Sequence, residues 1–282
     1  MKKTKLSELD SLLDRDTIST LTFYDGNASS IETFLKERVY DITELNPWLL
    51  GSIRKDFGSS DLNLIYPNDN TIANEFKLRR TFFVTEDSKL NECADYDDIA
   101  MRIKNLNILI NENVVNKKNE SLFRVALITI SPTKFAILFS FHHILGDTYT
   151  LYQLFGMLNE RSTPRALIID RLHDLNFNYM KNELNATREL GNWIKTSLIL
   201  KLEMKHLLCK DYIGTIHAID LNAIEEVKIE YKKQTDSPDD YISTNDILTS
   251  WYFNTFKIDV GVVPVNCRDR FPELTQGLNF FN

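Results

Sequence analysis

Phe123-Arg124-Val125-Ala126-Leu127-Ile128-Thr129-Ile130, then Ser131-Pro132-Thr133, then Lys134-Phe135-Ala136-Ile137-Leu138-Phe139-Ser140-Phe141, running into His142-His143-Ile144-Leu145-Gly146-Asp147, decides the fold class. The first run is rich in β-branched residues and predicts a strand. The triplet carries turn chemistry, and the run after it returns as a second strand, so the pair is predicted as a hairpin. The returning strand is apolar at almost every position, which implies that both of its faces are buried. Beyond Asp147, Leu151, Leu154, Phe155 and Leu158 share one helical stripe. Strand, polar turn, helix is an order in which rigid elements present side chains to a ligand.

Outward from this core the same signals recur. Thr20–Tyr24 reads as a strand closed by Asp25-Gly26-Asn27, and Ser30 is predicted to cap a helix with Ile31, Phe34, Leu35 and Val39 on one face. Asn46-Pro47 stops that helix, because a residue before proline avoids the α region, and the next strand is predicted to start near Leu49. Asp95, Asp97 and Asp98 read as a solvated loop. Past residue 180 a helical stretch runs through Trp193, Leu198, Leu200 and Leu202 to near Cys209, followed by a strand from Tyr212 to Ala218. Asp220 is predicted to cap a helix bearing Ile224, Val227 and Tyr231, and Thr244 one bearing Ile247, Leu248, Trp251 and Tyr252. Val260–Val265 reads as a last strand. Strands alternating with helices over short connections give a mixed α/β expectation.

Composition removes several classes. At 282 residues and 43% hydrophobic the chain is long enough for about two domains and a sizeable core. A net charge of −7 lacks the footprint of a nucleic-acid binder. Three cysteines, Cys93, Cys209 and Cys267, are scattered without C-x-x-C spacing, which argues for a reducing compartment and against a disulfide framework or structural zinc. The nine glycines form no G-x-G-x-x-G, P-loop or G-x-S-x-G. The basic start at Lys2, Lys3 and Lys5 has no apolar run behind it, and no apolar stretch reaches the length of a membrane span. A cytoplasmic protein without an integral membrane segment is expected.

The chemistry-bearing constellation is His142, His143 and Asp147. Imidazole is the side chain best suited to proton transfer near neutral pH. Neighbours on an extended strand face opposite ways, so one of the two histidines is expected to be structural. Asp147 either orients an imidazole or caps the helix beginning at Thr148. The other histidines, His173, His206 and His217, are isolated. Glu203 with His206 makes a single E-x-x-H, short of the set a di-metal bundle needs, and no metal is expected. Lys201, Lys205 and Lys210 beside Leu200, Leu202, Leu207 and Leu208 read as an amphipathic segment between domains.

His142-His143-Ile144-Leu145-Gly146-Asp147 resembles the H-H-x-x-x-D motif of the CoA-dependent acyltransferases, the superfamily of chloramphenicol acetyltransferase, alcohol acyltransferases, plant BAHD enzymes and peptide-synthetase condensation domains. Further landmarks follow in order. Leu6-Ser7-Glu8-Leu9-Asp10 resembles the family's opening and Asn46-Pro47-Trp48-Leu49-Leu50-Gly51 its H-P-x-L-x-G-R stretch. Ser243-Thr244-Asn245-Asp246-Ile247-Leu248-Thr249 is similar to its S-T-N-D-x-L-T helix start, and Val265-Asn266-Cys267-Arg268-Asp269-Arg270 to its V-N-x-R-x-R segment.

The resemblance implies a chloramphenicol-acetyltransferase-like mixed sheet flanked by helices, with a nearly complete first domain over 1–185, a crossover segment over 186–211 and a partial second domain over 212–282. It implies acyl transfer from acyl-CoA, as co-substrate, to an alcohol or amine, with His143 as general base and no further cofactor. His142 and Asp147 would support the site, Asp147 through an ion pair with Arg268. Residues that bind the acceptor are not legible. Two departures stand out: Thr148 occupies the place of the glycine that usually follows the aspartate, and Gln276–Asn282 resembles the run leading to Y-x-G-N, without the D-F-G-W-G motif beyond it. A C-terminally truncated product is therefore expected. A non-catalytic binding or scaffold remnant is the alternative from another class, and a condensation domain acting on carrier-protein thioesters is a third.

Overall fold

The computed structural model describes residues 2–6, 17–56, 62–67, 80–104, 106, 121–168, 219–235 and 240–257. The described residues fall into two units, one within Met1–Ile213 and a smaller one within Gly214–Val265. The predicted domain limits at 185/186 and 211/212 lie outside the described residues, as do the stretch from Trp193 to Cys209, Tyr212–Ala218 and Val260–Val265.

Within the larger unit the chain runs β1 (Lys2–Lys5), β2 (Thr17–Asp25), α1 (Ala28–Leu45), a 3-10 turn (Pro47–Leu50), β3 (Ser52–Lys55), β4 (Leu62–Tyr66), β5 (Phe82–Glu86), α2 (Tyr96–Ile103), β6 (Phe123–Ser131), β7 (Lys134–His142), a second 3-10 turn (His143–Leu145) and α3 (Thr148–Gly156). β6 and β7 form the expected antiparallel hairpin, with Phe123 opposite Phe141 and Leu127 opposite Ile137. β2 pairs antiparallel along the other edge of β7, and β5 pairs parallel with β6, giving a mixed sheet of order β2-β7-β6-β5. A smaller antiparallel sheet has the order β1-β4-β3.

β7 is central, and its alternation sorts two cores. Phe135, Ile137, Phe139 and Phe141 join Phe123, Val125 and Leu127, the α1 residues Leu35 and Val39, the α3 residues Leu151 and Leu154, and Ile53 and Leu64 of the small sheet. Phe139 meets Phe123 and Phe155 edge-on, at ring separations of 5.2 and 5.7 Å. On the opposite face Ala136 and Leu138 pack with Ala126, Ile128 and Leu90. The sheet is thus covered on both sides, as the unbroken apolar run required.

Local details correct several expectations. Asn27, not Ser30, caps α1: its Oδ1 accepts from the Ser29 N–H at 2.9 Å, while the Ser30 hydroxyl donates to the Asn27 carbonyl. The residue before it, Gly26, has φ +137°, a conformation that favours glycine. Pro47–Leu50 is a 3-10 turn rather than the start of a strand, because proline suits the first helical position. Asp97 and Asp98 are not in a loop; they lie in the first turn of α2, where carboxylates face the positive end of the helix dipole. Asn46 is fully buried and ties down the chain after α3: its amide donates to the Arg165 and Ile42 carbonyls and accepts from the Leu167 N–H.

The smaller unit contains α4 (Leu221–Gln234), capped by Asp220 as expected, and α5 (Thr244–Thr255). Ser243, not Thr244, caps α5, in a reciprocal box with Asp246. The Ser243 hydroxyl, and then its backbone N–H, hold the Asp246 carboxyl below the usual carboxylate range. That stabilisation is complete above the range and is lost as pH falls through the depressed value. Asp246→Asn should therefore melt below wild type at neutral pH, with the gap closing in acid.

A Cβ on Gly51 would sit 2.5 Å from Leu64 Cδ1 and 2.8 Å from the Trp48 carbonyl oxygen, whereas one on Gly156 meets nothing within 4 Å. Gly51→Ala should cost about 1–3 kcal/mol by overpacking, and Gly156→Ala should leave stability unchanged or raised by up to about 1 kcal/mol. Paired thermal melts check both.

Candidate functional site

Both edges of β7 are paired to its last residue. His142 stands opposite Thr17 of β2, and its N–H donates to the Leu122 carbonyl at 2.9 Å. Its side chain lies on the sheet face of Ser140, whose hydroxyl meets that of Ser19 at 2.8 Å. The His142 ring is completely buried.

At His143 the chain leaves the strand and enters the 3-10 turn. Ile144 and Leu145 are buried in the larger core and anchor that turn, and the Gly146 N–H closes it by donating to the His143 carbonyl at 3.2 Å. The Ile144 N–H donates to Nδ1 of His142, also at 3.2 Å. His143 itself is half-buried. The two histidines thus differ in burial, and the strand ends between them.

Gly146 is extended, so its conformation is open to any residue. Its role is close approach: a Cβ would lie 2.9 Å from Thr150 Cγ2 and 3.1 Å from Phe141 Cζ. Asp147 caps α3. Its Oδ1 accepts from the Thr150 N–H at 2.9 Å and the Thr150 hydroxyl at 2.8 Å, and its carbonyl accepts from the Leu151 N–H. Of the two roles expected for Asp147, capping is the one these bonds describe. Thr150 escaped the sequence reading, although a hydroxyl three residues after an aspartate N-cap is a legible signal for such a lock.

Arg268, proposed to pair with Asp147, lies outside the described residues, together with Ser7–Asp10, His173, Glu203, His206, His217 and Cys267. Cys93 is exposed and not in a disulfide. Among the described residues no helix is long and apolar enough to cross a membrane.

No family model matches the chain, and no curated protein matches it. Solved structures do. A condensation domain that mediates chain release from the enacyloxin polyketide synthase is 17% identical with a TM-score of 0.35, the match covering 68% of this chain and 37% of that one. The starter condensation domain of rhizomide synthetase RzmA is 16% identical with a TM-score of 0.39, covering 69% and 48%. F. graminearum TRI101 complexed with ethyl coenzyme A is 13% identical with a TM-score of 0.47, covering 90% and 59%. The chain thus spans between 37% and 59% of the length of these structures. At such identities and scores, no substrate or residue role transfers from them.

Removing the cap tests the Asp147 geometry. Asp147→Ala should cost about 1 kcal/mol, in the range of about 0.5–2 kcal/mol, whereas Asp147→Asn should retain most of the stability because asparagine also caps. Chemical denaturation of the two variants measures the difference.

Proposed function

We propose that this chain is an acyltransferase-like protein that moves an acyl group from acyl-CoA to an alcohol or amine, with His143 as the general base. The observation that carries the reading is the position of that imidazole. It is half-buried on a turn anchored by two fully buried neighbours, directly after the central strand and before a capped helix. The ordered sequence landmarks that resemble the CoA-dependent acyltransferases supply the reaction class.

In the proposed reaction His143 takes the proton of the acceptor's O–H or N–H as its lone pair attacks the thioester carbonyl carbon. The tetrahedral oxyanion collapses, the C–S bond breaks, and the departing thiolate takes the proton from the imidazolium to leave as CoA-SH. The step is redox-neutral, and the thioester supplies the activation. A positioned base of this kind contributes about 10²–10⁴ in rate, with orientation of donor and acceptor adding to it. Asp147 holds the helix start behind the turn, and its carboxylate is the proposed partner of Arg268. The proposed domain limits remain 1–185, 186–211 and 212–282, with acyl-CoA and a small alcohol or amine as partners, no nucleic acid, and a cytoplasmic location.

Thiol release from acetyl-CoA and longer acyl-CoAs, measured with a panel of alcohols and amines, tests the reading. His143→Ala should lower turnover by about 10²–10⁴ while shifting stability by less than about 1 kcal/mol, as expected for a half-exposed turn position. Equal thiol release in wild type and variant would overturn the proposal in favour of a non-catalytic remnant.

A further inference from the structure

A second imidazole beside the proposed base has a distinct task. His142 is completely buried, and its Nδ1 accepts from the Ile144 N–H at 3.2 Å. A ring nitrogen that accepts carries no proton, so the ring is neutral with its hydrogen on Nε2. We propose that His142 is a positioning residue: an Nε2–H imidazole whose Nδ1 caps the 3-10 turn carrying His143 and thereby sets the direction of the base. The word base rests on the acyl-transfer reading; the cap does not.

The opening N–H groups of a helical turn have no partner within it, and a short side-chain oxygen on the preceding residue usually supplies one. His142 stands at that preceding position with extended backbone, φ −74° and ψ 127°. Its Nδ1 is bonded to Cγ, as Oδ1 is in asparagine, so the ring reaches the same N–H. The backbone N–H of His142 is meanwhile held by the Leu122 carbonyl. One residue therefore terminates the strand with its main chain and starts the turn with its side chain. With the Gly146 N–H on the His143 carbonyl and the Ile144 N–H on Nδ1 of His142, both polar groups of the His143–Ile144 peptide are held, which fixes the peptide plane that follows the Cα bearing the ring. A proton on Nδ1 would set two donors against each other at this point.

The test separates cap from bulk. Asparagine places an acceptor at the Nδ1 position, glutamine places one farther out where Nε2 lies, and alanine places none. His142→Asn should keep kcat for thiol release within about threefold of wild type, as a substitute cap does. His142→Ala and His142→Gln should lose about 10- to 100-fold in kcat with KM little changed, the scale of an ångström-level displacement of a catalytic group. Equal kcat across the three variants would overturn the proposal.

Two readouts need no turnover. In the intact wild type, nitrogen-15 imidazole spectra should show His142 protonated on Nε2 alone. Hydrogen exchange of the Ile144 amide should be slow in wild type and His142→Asn, and fast in the glutamine variant. An Nδ1–H ring, or equal Ile144 exchange in the asparagine and glutamine variants, would overturn the cap even if the alanine variant fails to fold. Absence of thiol release from wild type would count against the acyl-transfer reading alone.

Discussion

Double-sided pairing of Lys134–His142 is the constraint on which the larger unit depends. With β2 on one edge and β6 on the other, every backbone group of that strand has a place in a ladder, and its side chains must satisfy two cores at once. A strand so enclosed tolerates few polar residues, and the ones present are explained individually: Ser140 meets Ser19, and His142 closes the strand. The chemistry of the site begins where enclosure ends. Because the ladder stops at His142, the next residue is released from strand alternation while still hanging from a strand paired on both edges.

The five residues between the ladder and α3 are held, besides the Gly146 N–H on the His143 carbonyl, by three contacts of different kind. His142 Nδ1 on the Ile144 N–H is electrostatic and directional. Gly146 works by the absence of an atom, allowing Phe141 and Thr150 to close on the backbone. Asp147 on Thr150 ties the end of the turn to the first turn of α3. Each fails differently, by loss of an acceptor, by steric overlap or by loss of a cap. The start, the middle and the end of the turn are thus each held by a different contact.

What was legible in the sequence follows the same physics. β6, β7 and α3 were readable because burial on two faces, or on one helical stripe, writes a long apolar signal. β1, β4 and β5 were not read. Lys2-Lys3-Thr4-Lys5 has no pattern of its own, and becomes a strand by pairing with Asn63–Tyr66. The starts of α1 and α5 were located to within a few residues but assigned to the wrong cap, whereas Asp220 was read correctly as the cap of α4. Where Asn27, Ser29 and Ser30, or Ser243 and Thr244, stand close together, composition allows several caps and only backbone geometry selects one. His142, His143 and Asp147 were legible as a group, but the contacts that each makes were not, since they depend on where the strand stops and which way an imidazole turns. Arg268 and the limits of the domains lie beyond the described residues and stay proposals.

Thr148 illustrates how a departure from a motif can be absorbed by its neighbours. A β-branched residue at the site of an expected glycine would strain a turn that needed positive φ. Thr148 is instead the first residue of α3, exposed, and not among the residues with positive φ. A threonine there loses only side-chain freedom, a modest cost in the first turn of a helix. The position that cannot carry a side chain is two residues earlier, at Gly146, where the backbone meets Phe141 and Thr150. The requirement for a missing Cβ is therefore met before the aspartate rather than after it, and Asp147 begins its helix without a glycine behind it.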